Sequence, residues 1–408
     1  MLSNIDILKK EISQLKEEVD RLSAQEQAVK IVLNGGYGAT GNVNFRYFDP
    51  TIAEGITATG QVAIRYITKK VNEHLNKEIG TVGVDYVVSS DTDSIYYRIQ
   101  ELVDLKWPHI TDKQELTDAI DEYAETIINP YFDKCFEELA VYMNAMRNLL
   151  DMKREAIADC FIIRAKKNYI MRVLDNEGVR FAEPYYKMMG IEVAKTSTPM
   201  IVRENLKKAL IIVIDGTNGE LVEHYKQFRK FFLESELNKI ARPIGISDID
   251  KYQNEDYSFK EYEYVYDEKA GRTVKKKVSI PFHVKAAILH NRLVKEMKLQ
   301  NKYEYIKNST KIKLLPLKEP NPLKSDVIGF IGELPPEFGL DEYVDRSILF
   351  DKVYKGPLES FTVFNSWSLE PNSMSDVFGQ IDIASVAIAK KSIKKPKSKK
   401  NAPTTSLF

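Results

Sequence analysis

Lys30-Ile31-Val32-Leu33-Asn34-Gly35-Gly36-Tyr37-Gly38 and Asp91-Thr92-Asp93-Ser94 are the two stretches whose reading decides the rest of this chain. In the first, Lys30, Asn34 and Tyr37 are spaced four and three apart, so a helix brings them to one face. A lysine there can neutralise triphosphate oxygens and the amide can hydrogen-bond them. The tyrosine ring, one turn later, can lie against a base pair. The helix is expected to end at the glycines, with Gly38 allowing a sharp turn. The plainer reading is an amphipathic helix with a glycine C-cap. In the second stretch two carboxylates occupy a tight turn between residues 86–90 and 94–99, which read as the strands of a hairpin. Hard oxygen ligands on a rigid turn suit Mg2+, which keeps several waters and shares its shell with substrate phosphates. An acidic turn is otherwise simply solvated. Val87-Val88 and Ile95-Tyr96 look apolar enough to bury the strands and carry Asp91 and Asp93 to a sheet edge.

A third element is Lys166-Lys167-Asn168-Tyr169. If residues 160–173 are one strand, Lys167 and Tyr169 share a face. A cation beside an aromatic hydroxyl can follow a duplex backbone and minor groove without reading sequence; a surface strand with ordinary lysines is the alternative. Upstream, Ile5, Leu8, Ile12, Leu15, Val19 and Leu22 repeat at spacings of 3, 4, 3, 4 and 3, a helical seam that Ser3 or Asn4 can cap. That seam needs cover, from another helix or from this chain's own core, and it is too short for a long coiled coil.

The remaining pattern predicts a turn or extended segment at 42–47, a helix over 52–78 and helix through 112–150. Strands are expected at 160–173 and 180–182, with Asp175-Asn176-Glu177-Gly178 as the turn between them. Helices should dominate from residue 198. A strand pair is expected at 262–266 and 273–278, a helix over 281–298 and a strand at 311–317. The fold class is α/β in the α+β sense: an antiparallel sheet with packed helices, preceded by a helical segment and followed by a mostly helical region. Periodicity is lost from about residue 371, and residues 390–408 read as disordered.

At 408 residues the chain can hold two or three domains. Formal net charge is zero, which excludes a global basic field. Residues 390–400 carry seven lysines and no acid, so the body is mildly acidic and any nucleic-acid contact must be local. Two cysteines, Cys135 and Cys160, make no disulfide framework and suit a reducing compartment. No signal-peptide core is present, and the apolar run at 209–214 is too short to span a bilayer. No membrane partner is expected.

In this order, the lysine-asparagine-tyrosine helix, the Asp91-Thr92-Asp93-Ser94 turn and Lys167-Asn168-Tyr169 resemble the motifs of family B DNA polymerases. Longer strings sharpen the likeness: Tyr37-Gly38-Ala39-Thr40-Gly41-Asn42-Val43, Arg154-Glu155-Ala156-Ile157-Ala158, Met189-Gly190-Ile191-Glu192, Lys195-Thr196-Ser197-Thr198-Pro199 and Pro357-Leu358-Glu359 are similar to the replicative polymerases of T-even-like tailed bacteriophages. The resemblance covers about residues 22–380. It implies a fingers segment at 1–37, the C-terminal part of a palm at 38–196, a thumb at 197–365 and a flexible tail at 366–408. Lys30, Asn34 and Tyr37 would bind the incoming dNTP and nascent pair. Asp93 and Asp91 would sit at two catalytic Mg2+ ions. Lys166, Lys167, Tyr169 and Gly38 would contact primer-template DNA, with Glu155 a candidate accessory carboxylate. Val377 and Phe378, or Leu407 and Phe408, would reach a sliding clamp. The compartment implied is the cytoplasm of an infected bacterium.

The departures matter as much. Gly35-Gly36 replaces the family's usual Ser-x between Asn34 and Tyr37, removing bulk beside the nascent pair and weakening the helix by roughly 1 kcal/mol per glycine. Ser90 stands where a glycine commonly precedes the turn. No Asp-x-x-Ser-Leu-Tyr-Pro string is present, which in the family supplies the other metal-binding aspartate. The expectation is therefore the C-terminal subunit or fragment of a DNA polymerase, inactive alone, that takes the missing carboxylate from an N-terminal polymerase half packed on the 5–22 seam. Two other readings stay open: a non-catalytic primer-template and clamp-binding module, and an unrelated metal-dependent nucleotidyl- or glycosyltransferase.

Overall fold

A single helix, α1 (Asn4–Thr40), carries the first motif through all three of its glycines. The expected stop there is not found: Gly35, Gly36 and Gly38 all keep ordinary negative φ, so none acts as a left-handed cap. The end comes at Thr40, whose hydroxyl donates to the Tyr37 carbonyl at 2.7 Å. Turns over residues 41–48 follow, with the amides of Asn42, Phe45 and Phe48 each donating three residues back. Asp49 then caps α2 (Pro50–Ile79), its carboxylate accepting from the amides of Thr51 and Ile52. The computed structural model describes residues 4–267 and 271–370; Val377, Phe378, Leu407, Phe408 and the lysine-rich run lie outside the described residues.

Two units are distinguished. One takes the described residues up to Ile157 together with Asp175–Arg180. In it α2 buries Ala63, Ile67, Val71 and Leu75, one per turn, beneath the hairpin of β1 (Val87–Asp91) and β2 (Ser94–Tyr97). Helix α3 (Gln100–Lys106) adds Leu102. Helix α4 (Lys113–Tyr123) runs through a π-helical turn, Ala124–Ile128, into α5 (Asn129–Tyr142), which adds Phe132, Phe136 and Leu139. Helix stops at Tyr142 rather than continuing to 150. Every residue from Ile5 to Gly38 is exposed, so α1 does not pack on this chain's own core as one reading allowed.

The other unit takes Ala158–Leu174 and what is described from Phe181 on. Where one strand was expected over 160–173 there are two, β3 (Ala156–Ala165) and β4 (Asn168–Asn176). The chain reverses at Lys166-Lys167, with Lys167 at φ +59°. The turn at 175–178 is where it was expected, with Glu177 and Gly178 both at positive φ. It leads into β5 (Val179–Met189), much longer than the predicted 180–182, and the sheet order is β3-β4-β5.

Helices α6 (Met200–Asp215) and α7 (Asn218–Glu234) follow. A Thr217–Glu220 capping box starts α7. Short helices α8 (Leu237–Ile240) and α9 (Ile249–Tyr252) flank β6 (Arg242–Gly245). The expected strand pair is present as β7 (Tyr262–Asp267) and β8 (Arg272–Lys277). Helix α10 (Phe282–Glu296) lies against the antiparallel sheet β10-β9-β6, built from β9 (Lys311–Pro316) and β10 (Val327–Phe330). Helices α11 (Arg346–Phe350) and α12 (Gly356–Thr362) close a core with Tyr225, Phe228, Phe232, Phe350, Tyr354 and Phe361. The class is α+β, with small antiparallel sheets among helices. No helix among the described residues is long and apolar enough to cross a membrane.

Candidate functional site

Helix α1 presents Lys30, Asn34 and Tyr37 to solvent, Tyr37 at 45% exposure. The Lys30 ammonium sits 2.6 Å from Glu26 one turn earlier. That hydrogen bond raises the Lys30 pKa, and the Glu177 carboxylate adds to the effect. The lysine is therefore firmly cationic. Gly35, Gly36 and Gly38 have nothing near the position of a Cβ, so the backbone here is open on all three.

The Asp91-Thr92-Asp93 turn is tight because Thr92 takes φ +55°. The Asp93 amide donates to the Asp91 carbonyl at 2.6 Å, and the Ser94 hydroxyl reaches the same oxygen at 3.2 Å. Asp91 pairs with Ser94 across the hairpin, and its carboxylate accepts from the Thr92 hydroxyl. Val87, Ile95 and Tyr97 pack on the helical core beneath. Burial pushes the Tyr97 hydroxyl up to about 12, against the opposing charge of Arg154. One expectation is corrected: Val88 is 47% exposed, because faces alternate along β1 and Val87 takes the covered one. The hairpin is a two-stranded ribbon with one buried face, so the carboxylates stand at its tip rather than on the edge of a larger sheet. Among the described residues no group of three or more His, Cys, Asp or Glu is placed to hold a metal ion. Glu155 thus does not complete a ligand set with Asp91 and Asp93.

What surrounds Glu155 is a closed ring of charges that sequence reading missed. Asp175, fully buried, accepts from both Arg154 and Arg180. Asp121 on α4 bridges the same two arginines, at 2.6 Å to Arg154 and 2.7 Å to Arg180. Burial alone would raise the Asp121 pKa, but Arg180 and Arg154 outweigh it and hold the carboxyl below its usual range. The ring fixes the start of β3 and the β4–β5 turn to α4, and the Glu155 carbonyl takes the Glu177 amide at 2.6 Å within it. Nothing local signals such a ring, since Arg180 and Asp121 are 59 positions apart.

In the other unit, the Lys166-Lys167 turn is exposed while Asn168 and Tyr169 are buried. Lys167 and Tyr169 do not share a strand face as expected. Lys167 lies in the turn, and the Tyr169 ring packs edge-on against Phe161 at 5.1 Å. Gly190, at φ +66°, meets the turn so closely that a Cβ there would fall 1.9 Å from the Lys167 carbonyl oxygen. The Asn168 side-chain Nδ2 donates to the Gly190 carbonyl at 3.1 Å. The only signal of this contact is a glycine at the end of a long strand.

No family model matches the chain. Three curated proteins do. Over 344 residues it is 32% identical to the DNA-directed DNA polymerase of Enterobacteria phage T4, which is 81% of this chain and 36% of that protein. Over 381 residues it is 31% identical to the DNA-directed DNA polymerase of Escherichia phage RB69, which is 90% of this chain and 39% of that one. DNA polymerase 1 of Aeropyrum pernix matches at 23% identity over 72% of this chain and 24% of its own length. The chain spans less than two fifths of the length of these relatives. Over most of its length the chain is therefore similar to a segment of two phage DNA polymerases.

Proposed function

We propose that this chain is the C-terminal part of a family B DNA polymerase, working with an N-terminal half that supplies the remaining catalytic carboxylate. The observation that carries the proposal is the similarity to two phage DNA polymerases over 81% and 90% of the chain. In this reading residues 1–37 belong to the fingers, 38–196 to the palm and 197–365 to the thumb. Residues 366–408 are a tail that meets a sliding clamp through Val377 and Phe378 or through Leu407 and Phe408.

Lys30 and Asn34 bind the triphosphate of the incoming dNTP, and Tyr37 lies against the nascent pair with Gly38 beside the DNA. Asp93 and Asp91 hold Mg2+. Their donor chemistry fits that ion, which takes one or two protein carboxylates and leaves its other positions to water and phosphate. When bound, the metal supplies Lewis-acid stabilisation of the attacking and leaving oxygens. The Asp91-Ser94 hairpin contributes rigidity, holding the carboxylates at a fixed point as the primer 3′-hydroxyl attacks the α-phosphate. Lys166 and Lys167 neutralise duplex phosphates, and Tyr169 stiffens the strand behind them.

Exposed apolar side chains support the partner. Leu8, Ile12, Leu15 and Val19 on α1 are each more than half exposed, as is Ile52 on α2. Burying a side chain of this kind is worth about 1.5–3 kcal/mol, so a matching apolar helix from the N-terminal half would bind the 5–22 seam firmly. The direct test is Asp93→Asn in primer extension by the two halves together. Extension should be lost while duplex binding survives. Unchanged extension by Asp93→Asn would overturn the site.

A further inference from the structure

The β7–β8 ribbon has two unlike faces. Its register sets Tyr262 opposite Lys277, Tyr264 opposite Lys275 and Tyr266 opposite Thr273. Paired residues share a face and alternate residues change it. One face therefore carries three tyrosines, two lysines and a threonine, with no acid among the described residues. On the alternate positions Glu263 stands opposite Lys276. Tyr262, Tyr264 and Tyr266 are 47%, 75% and 63% exposed. Lys275 and Lys277 are exposed too, while Glu263 and Val274 on the other face are partly covered. The Lys275 ammonium lies 3.9 Å from the centre of the Tyr262 ring, which leaves the rings of Tyr264 and Tyr266 as the open surfaces.

We propose that this face is a platform for single-stranded nucleic acid, with bases stacked on Tyr264 and Tyr266 and phosphates held at Lys275 and Lys277. Alternate residues of a strand are about 6.7 Å apart, roughly twice the stacking distance of neighbouring bases in a duplex. Two such rings suit an opened, extended strand whose bases have free faces. A duplex hides those faces and would engage only the lysines. Two cations without an acid match a polyanion and disfavour an acidic-residue-poor protein surface. The inference extends the nucleic-acid reading above, and its test needs no polymerase activity.

The test is fluorescence anisotropy of the full chain with dye-labelled oligothymidine and with a hairpin duplex. The wild-type chain should bind the single strand. Tyr264→Ala with Tyr266→Ala should weaken that binding at least about tenfold and change duplex binding less than twofold. The pair Tyr264→Phe and Tyr266→Phe should keep it, showing that stacking and not the hydroxyl is used. Lys275→Gln with Lys277→Gln should lower the magnitude of the slope of log affinity against log salt by about 1.4. All of these side chains are exposed, and an unchanged melting curve verifies the fold of each variant. No binding by the wild-type chain, equal binding by the alanine pair, or an equal loss on duplex would each overturn the proposal. Failed single-strand binding with successful extension by the two halves would remove the platform alone. Binding without any extension would remove the polymerase reading alone.

Discussion

Gly190 shows how much one residue can hold. Its φ of +66° and the 1.9 Å approach to the Lys167 carbonyl leave no room for a side chain, and the obstacle is backbone that cannot swing aside. Gly190→Ala should destabilise its unit by about 2–4 kcal/mol, summing left-handed strain and overpacking. It should also weaken duplex binding by displacing Lys166 and Lys167. Gly178 is the control: its φ is +85° but nothing lies within 4 Å, so Gly178→Ala should cost only about 1–2 kcal/mol. Urea unfolding of both variants checks this, and equal costs would contradict it. At this scale the sequence was readable where chemistry and locality coincide. The Asp91-Thr92-Asp93 turn and the 175–178 turn were found because each is made by consecutive residues. The turn at Lys166-Lys167 was not, because apolar β-branched residues on both sides continue the pattern of a single strand. The Arg154-Asp175-Arg180-Asp121 ring was invisible because its members meet only after the chain has folded.

Among the elements, α1 departs furthest from expectation. Its seam was legible from spacing alone, but its end was not. Gly35 and Gly36 suggested a stop, yet neither takes the positive φ of a left-handed glycine cap. Each still costs the helix about 1 kcal/mol relative to alanine, and neither has an atom near its Cβ position. Gly35→Ala and Gly36→Ala should therefore each stabilise α1 by about that amount and raise helicity, seen in circular dichroism at 222 nm. A loss of helicity on either change would contradict the continuous helix. The strands β7, β8 and β9 were readable because alternation or β-branched runs mark them. Strands β6 and β10 were missed because each is four residues long and carries a glycine or proline.

Across the whole molecule, three histidines share one electrostatic fate. Burial lowers the pKa of His74, His224 and His290, most plainly for His290, which is 1% exposed and where burial outweighs the opposing bond to the Glu304 carbonyl at 3.2 Å. In the unfolded chain each ring takes a proton near the ordinary value of 6.5, while the folded ring resists it. The unfolded state thus binds more protons as pH falls, and stability must fall with it. Stability should be level above pH 7 and decline below 6.5, by about 1.4 kcal/mol per pH unit from His290 until its folded pKa is reached. Melting temperatures across pH 8 to 5 check this, and a melting temperature that rises or holds between pH 7 and 5 would contradict it. The molecule's kinship was legible because its motif strings are contiguous and ordered, and the phage polymerases match over most of its length.

The central claim is that the catalytic centre is shared between this chain and an N-terminal half. The most direct measurement is primer extension with Mg2+ and dNTPs, by this chain alone and by the chain mixed with the N-terminal half from the same source. The account predicts extension in the mixture and none by either half alone. Extension by this chain alone would contradict it, because Asp91 and Asp93 would then suffice without the partner's carboxylate. Duplex binding with no extension in any combination would contradict it as well, and would leave a non-catalytic primer-template binding module.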